Sequence, residues 1–461
     1  MQPGTPNELP RVLTARHAIS IVVGIVIGSG IFLVPHEMMA ATGRVSTVYV
    51  VWIIGGLLSL FGAMSYAEVA ALHPRVGGEY AFIREAYGDL PAFLFTWTWI
   101  TIAKPASIAT IAAGLMRILG SFSALSFLSQ PAFPHLYWSP YWSQIAAIAV
   151  TWLITALNIV STRESANVQA ALTWLKILLI VGIAVACFAS LRHGSLHNLT
   201  TTYLGAHGGL TGFMTALIAA LWAYDGWSDV SQLAGEVRDP QRSMPFALVG
   251  GVFIVAALYM LMQGAIQYIL PATTIALSDR PAADALRVVA GCAGAALVTI
   301  GMTVSICATL VGSSLSGARV PFAAARDHLF PHSLAAVHPR FHTPSASLIL
   351  QAVLSSLLLL AIGKFQALFS LAIVSEWLFY ALTASTVFVF RRRNPDRPRP
   401  YSVNGYPVTP ALFILAALMI IVFSFISEPR NSIAGAAVIL LGVPLYWWMK
   451  SLQRSRQRRS T

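Results

Sequence analysis

Charge is scarce in this 461-residue chain: Asp, Glu, Lys and Arg together make up 10% of it. A soluble protein of this length carries about 25%, so a water-covered globular domain is excluded. Cysteine is scarce too. Cys187, Cys292 and Cys307 are the only three, and their spacing fits neither a metal site nor a redox pair. A structural disulfide is not expected, and Cys187 and Cys307 read as small buried hydrophobes. No nucleophile–base set or metal-ligand spacing accompanies the polar segments, so an enzyme, a metal or a cofactor is not expected. The first apolar run is too long for a signal peptide and lacks its cleavage pattern, so it is expected to be retained.

Apolar sequence is what the chain has in abundance, at 57% hydrophobic residues. Runs of roughly 20 residues, each able to cross a bilayer, recur about twelve times. They lie near 16–41, 46–72, 91–119, 141–160, 167–190, 209–235, 245–270, 285–312, 345–362, 368–390, 410–426 and 432–449. The net charge of +12 would suit a nucleic acid, but its distribution argues for a membrane. With the N-terminus inside, six of the 29 Lys and Arg residues fall outside (Arg44, Arg192, Arg280, Arg287, Lys364 and Arg430). Lys104, Arg117 and Lys176 fall within spans, and the other twenty fall on the inner side. That asymmetry places both termini in the cytoplasm, with no nucleic-acid partner expected. The basic tail can touch anionic membrane lipid.

Two of the spans are interrupted, at Gly28-Ser29-Gly30 and at Asp225-Gly226. A break in lipid leaves backbone N–H and C=O groups unpaired, which is tolerated only where a cavity or ligand satisfies them. The two breaks open successive groups of five spans. Because five is odd, the second group enters from the opposite side, giving an inverted repeat whose breaks meet near the midplane. The expected organisation is an N-terminal cytoplasmic segment (1–15), a first repeat (16–190), a second repeat (209–393), two further spans (408–450) and a basic tail (451–461). No letter-for-letter repeat supports this symmetry; it rests on the break positions. The fold class is all-α integral membrane.

The first break exposes N–H groups near Ile31 at the positive end of a half-helix, which suits a carboxylate. Ser29 can add a hydroxyl, and the carbonyls around Val26 and Ile27 suit an ammonium. A zwitterionic head group would satisfy both. A glycine-lined packing contact is the alternative. In the second break, Trp222, Tyr224, Asp225, Gly226 and Ser228 are candidate contacts. Trp222 would gate or line a side-chain pocket, or pack in the core. Asp225 would pair with Lys104, receive a cationic side chain, or couple protons. Lys176 would snorkel to the interface, tie the fifth span to the first break, or titrate. Glu376 lies either on the pathway or in a structural hydrogen bond. Glu68 and Glu79, flanking a polar turn, read as helix-tethering charges.

These residues resemble the L-type amino acid transporter family of the amino acid–polyamine–organocation superfamily. The segment Gly24-Ile25-Val26-Ile27-Gly28-Ser29-Gly30-Ile31-Phe32 is similar to the family's first-helix motif. Ser65-Tyr66-Ala67-Glu68 with Gly77-Gly78-Glu79-Tyr80, Lys104-Pro105-Ala106-Ser107, Leu221 to Trp227, and Gly317-Ala318-Arg319 with Thr343-Pro344 follow in the family's order. The resemblance covers residues 10–425. It implies a LeuT-like five-plus-five fold with helices 1 and 6 broken, and sodium-independent amino acid exchange at the cell membrane. Carried over, the backbones of Val26, Ser29 and Gly30 bind the carboxylate, and the carbonyls of Val26, Trp222 and Asp225 bind the amino group. Trp222 takes the gate position, and Lys176 is the family's fifth-helix lysine, standing where related transporters hold sodium.

Two departures qualify that picture. Many large-neutral members have a small residue at the position of Asp225, and an acid there is closer to members exchanging dibasic and neutral amino acids. The stretch 121–140 also lacks the cysteine that links eukaryotic members to a heavy subunit, so no disulfide-linked partner is expected. The alternatives are a proton-coupled symporter and, from another class, a sensor that binds amino acids without moving them.

Overall fold

In hydrocarbon a chain must satisfy its backbone within each segment, so apolar runs of this length can only coil. The computed structural model describes residues 9–120, 122–135, 139–362, 365–427 and 429–460, with the side chains of 123, 365–374, 427 and 452–460 left undescribed. It is helical throughout, with no strand among the described residues. Lys364, the side chains of Arg454, Arg456, Arg458 and Arg459, and the first eight residues of the N-terminal segment lie outside what is described.

The first span is two helices, α1 (Ala15–Val26) and α2 (Gly30–Thr42). Thr14 and His17 close the start of α1 by exchanging side-chain-to-backbone hydrogen bonds, which occupies the otherwise orphaned first donors. The second span is α3 (Val45–Leu72), followed by the short α4 (Glu79–Tyr87). The third is α5 (Asp89–Thr98), a π-helical turn (Trp99–Ala103) and α6 (Lys104–Leu119). Pro105 has no N–H to give the carbonyl one turn back, and the π turn absorbs that mismatch. Spans four and five are α7 (Trp142–Val160) and α8 (Thr162–Ala189).

The sixth span is again divided, into α9 (Gly209–Ala223) and α10 (Asp229–Gln232). Then come α11 (Pro240–Ile269), the short α12 (Ala272–Leu277), and α13 (Pro281–Gly317), which kinks at Ala290 and Gly291. The chain finishes with α14 (Arg319–Arg326), α15 (Ser345–Ala361), α16 (Phe365–Arg393), α17 (Val408–Ser427) and α18 (Pro429–Ser460). Among the described residues nine segments are long and apolar enough to cross a bilayer, and α9 and α15 are shorter apolar helices. With α16 these account for the twelve expected spans.

At the end of the bundle where the N-terminus enters, polar contacts replace apolar ones. Leu13 pairs with the segment after α10, its N–H donating to the Glu236 carbonyl (3.0 Å) while Arg238 N–H donates to the Leu13 carbonyl (2.8 Å). Arg319 was counted on sequence among the loop cations, but it is fully buried. Its guanidinium grips Glu236 at 2.8 and 3.2 Å and donates to the Thr162 hydroxyl at 2.9 Å. A neutralised, buried arginine contributes little to topology. Glu68 accepts two bonds from Arg391, at 2.8 and 2.6 Å, and one from the Val403 N–H at 2.7 Å, tying α3 to α16 and the loop after it. The cysteines are unpaired: Cys187 is buried, Cys307 half-buried and Cys292 exposed.

Removing Glu236 would strand a buried guanidinium. Glu236→Ala is expected to destabilise the protein by roughly 3–5 kcal/mol, read as a lowered melting temperature in detergent. A melting curve matching wild type would refute it.

Candidate functional site at two broken helices

The two breaks touch. A Cβ on Gly30 would sit 3.0 Å from the Ala223 backbone, so a side chain there would crowd the close approach of α2 and α9. Gly226 has φ +97°, a conformation that favours glycine, and a Cβ there would lie 2.6 Å from the Ile25 side chain.

Side chains from three other spans take up part of the backbone that the first break frees. The Lys176 ammonium on α8 is buried. It donates to the carbonyls of Gly24 (2.6 Å), Ile27 (2.6 Å) and Ser305 (3.1 Å). Ser305 on α13 donates to the Ile27 carbonyl at 2.9 Å, and Thr309 to that of Gly24 at 3.2 Å. From α11 the Tyr259 hydroxyl lies 2.9 Å from the Val26 carbonyl and 2.7 Å from that of Ala223. The Gly28 N–H folds back onto Val26. The N–H groups of Ser29, Gly30 and Ile31 find no acceptor among the described residues, and Ser29 makes no capping bond.

Ser29 and Gly30, which carry two of those open donors, line a cavity. Val26, Gly28, Ser29, Gly30, Trp222, Asp225 and Gly226 line it, as do Lys104 and Glu376. Three residues expected at the site do not. The carbonyl of Ile27 is turned away and held by Lys176 and Ser305. Tyr224 is buried behind the second break, its hydroxyl 3.3 Å from the Trp52 carbonyl and its ring against Trp52 and Tyr259. Ser228 is buried one layer back and donates to the Tyr380 hydroxyl at 3.3 Å.

The pairing of Asp225 with Lys104, one alternative read from sequence, is not formed. Lys104 donates instead to Asp229, at 2.5 Å, and the Ser316 hydroxyl donates to the same carboxylate oxygen at 2.8 Å. Asp229 opens α10 and turns towards α6 and α13, whereas Asp225 stays in the irregular segment before it. Asp225 accepts from the Tyr380 hydroxyl at 2.9 Å. Glu376, one turn before Tyr380 on α16, lines the same cavity. Among the described residues its carboxylate has no hydrogen bond or ion pair. Asp229 as the partner of Lys104, together with Tyr259, Ser305 and Tyr380, escaped the sequence reading. Tyr380 alone carried a signal, the helical spacing from Glu376.

The family model described as Amino acid permease matches residues 13–449. The chain is 31% identical over 452 residues to the serine/threonine exchanger SteT of Bacillus subtilis (strain 168), covering 97% of this chain and 99% of that one. It is 30% identical over 440 residues to the cystine/glutamate transporter of Homo sapiens, covering 95% and 85% respectively. It is 27% identical over 444 residues to the b(0,+)-type amino acid transporter 1 of Mus musculus, covering 96% and 88%.

If Lys176 holds the first break, its ammonium is worth more than its packing. Lys176→Met keeps the stem and is expected to lower stability by roughly 1.5–3 kcal/mol, the range for hydrogen bonds to a charged group. Chemical denaturation in detergent measures this, and an unchanged midpoint would show that the ammonium does not hold the break.

Proposed function

We propose that this chain, which belongs to the amino acid permease family of the amino acid–polyamine–organocation superfamily, is a sodium-independent exchanger of L-amino acids that works by alternating access. It is a multi-pass membrane protein. In this reading both termini face the cytoplasm, the membrane is the cell membrane, residues 16–190 and 209–393 are the two repeats, and no heavy subunit is needed.

The observation that carries the proposal is the Lys176 ammonium on the carbonyls of Gly24, Ile27 and Ser305. A fixed positive charge already satisfies the oxygens that a small cation would otherwise bind, so the site is complete without sodium. The head group takes what is left. Its carboxylate accepts from the N–H groups of Ser29, Gly30 and Ile31, helped by the dipole of α2. Its ammonium donates to carbonyls at the ends of α1 and α9, where Val26 and Trp222 line the cavity. Exchange follows from the same account. An empty carrier leaves those groups unpaired when it closes, whereas a loaded one does not, so substrate stabilises the closed states selectively.

Proteoliposome uptake tests this with N-methylglucamine in place of sodium. Vesicles preloaded with amino acid are expected to take up labelled substrate at least about tenfold faster than empty ones, a difference of about 1.4 kcal/mol in the barrier. Equal rates would rule out obligatory exchange. A sodium requirement would rule out the role given to Lys176, and uptake into empty vesicles driven by a proton gradient would favour symport.

The charges also bear on which amino acids pass. Lys104 is committed to Asp229, which leaves Asp225 and Glu376 on the cavity wall without a cation. A cationic side chain would neutralise them, so we include dibasic amino acids beside neutral ones among the substrates. Asp225→Asn with Glu376→Gln is expected to lower the kcat/KM ratio of lysine to serine at least about tenfold. An unchanged ratio would rule out recognition by these two acids.

A further inference from the structure

The exchanger reading uses the charges of the central cavity but leaves two others inside the spans, Glu37 on α2 and Arg117 on α6, without a role. We propose that Glu37 and Arg117 form an outer subsite that holds the zwitterionic head of an amino acid on its way into the cavity. The inference rests on the exchanger reading and adds to it a second place of contact, away from the two breaks.

Both residues lie in segments long enough to cross a bilayer, Ala15–Thr42 and Asp89–Leu119, yet both side chains are exposed. A charge turned towards hydrocarbon is costly, so such residues face water or one another. Helical spacing says which water. Gly30 and Thr110 line the central cavity. Glu37 and Arg117 each follow seven residues later, which returns to nearly the same helix face about 10 Å further out. Leu33, one turn out from Gly30, is half-buried, as is Ile111 on the cavity wall. On α9 a matching stripe runs from Trp222 and Ile218, which line the cavity, to the exposed Thr215 and Thr211. Three helices thus present open faces that start at the cavity and lead to the end of the bundle opposite the N-terminus.

The two charges are complementary and uncommitted. The field of the Arg117 guanidinium reaches Glu37, as does that of the adjoining His36. Among the described residues neither the Glu37 nor the Arg117 side chain makes a hydrogen bond or an ion pair. An amino acid carries an ammonium and a carboxylate on one carbon, so it can meet both groups at once. Its ammonium donates to Glu37, and its carboxylate accepts from the planar fork of Arg117. A ligand with a single charge would satisfy one side of the pair and be repelled by the other. Because both side chains are exposed and hydrated, the contact is weak and quickly released. That suits a station on a path, where tight binding would only trap the substrate short of the cavity.

The test uses the full-length protein in right-side-out and inside-out membrane vesicles, which present the two ends of the pathway separately. Glu37→Gln and Arg117→Gln are each expected to raise the KM for serine about twofold to fivefold from the side onto which Glu37 opens. The KM from the other side and the maximal exchange rate are expected to stay at wild-type values. Salt screens exposed charges, so high ionic strength is expected to erase the difference between the variants and wild type. An unchanged KM in both variants, or an equal rise from both sides, would overturn the proposal. So would a fall in maximal rate with KM unchanged, which would mark the pair as a latch on the outer mouth. A wild-type protein that exchanges no amino acid would bring down the exchanger reading and this inference together. An active wild type with two indifferent variants would bring down this inference alone.

Discussion

The structure turns on the backbone of one short segment, Gly24 to Ile31, held open inside a bundle of hydrogen-bonded helices. Leaving its carbonyls bare in a low-dielectric interior would cost several kcal/mol. The fold prevents this by bringing in side chains from distant spans: Lys176 from α8, Ser305 and Thr309 from α13, and Tyr259 from α11. Every one of them addresses a carbonyl. The N–H groups that follow are left open towards the cavity. This division is chemical: a protein can supply donors from lysine and hydroxyl side chains cheaply, whereas satisfying N–H groups would need a buried acceptor, and a substrate carboxylate is one.

A second constraint is the shortage of positive charge. Among the described residues Asp225, Asp229 and Glu79 act on Glu376 together with the Lys104 ammonium, so carboxyl groups outnumber the cation in this cluster. Each acid has a different local solution. Asp229 takes Lys104 and Ser316. Glu79 takes the Tyr66 hydroxyl at 2.8 Å, and burial pushes its carboxyl up to about 7, so a proton is available to it near neutral pH. Asp225 has Tyr380. The cavity-facing part of the cluster is therefore the part least compensated by the protein, as expected where a ligand completes the balance.

The gross architecture was legible from composition and glycine. Runs of apolar residues fixed the number of spans, and Gly28, Gly30 and Gly226 marked the breaks: glycine suits the backbone angle at 226 and keeps the contact of Gly30 with Ala223 uncrowded. Lys176 was legible because an ammonium so deep in an apolar run must find oxygens. What could not be read was direction. Once the helix stops at Ala223, the period of 3.6 no longer says where side chains point. Tyr224 and Ser228 consequently turn away from the cavity, while Asp225 and Asp229, which helical spacing would place on one face, take separate partners. Tyr259 had no signal at all, since a tyrosine within a span has many uses.

The position of these bonds along α1 also says which end of the bundle is easier to open. At its C-terminal end α1 is held by buried groups: Lys176, Ser305, Thr309 and Tyr259 all converge within the last turn and the break. Towards its N-terminal end the chain is held by the two backbone bonds of the buried Leu13, by Thr173 on the Ser20 carbonyl at 3.0 Å, by Arg238 on the Arg11 carbonyl at 3.2 Å, and by the exposed contact of His17 with Asn167 at 3.0 Å. Exposed hydrogen bonds exchange with water at little net loss, whereas buried ones leave stranded groups behind. Arg319 and Glu236, buried beside Leu13, stay paired whether or not that strand-like contact forms, because their bonds run to each other and to Thr162. Releasing the His17 contact thus costs only groups that water can replace, whereas releasing Leu13 and Ser20 strands buried groups unless water enters behind them.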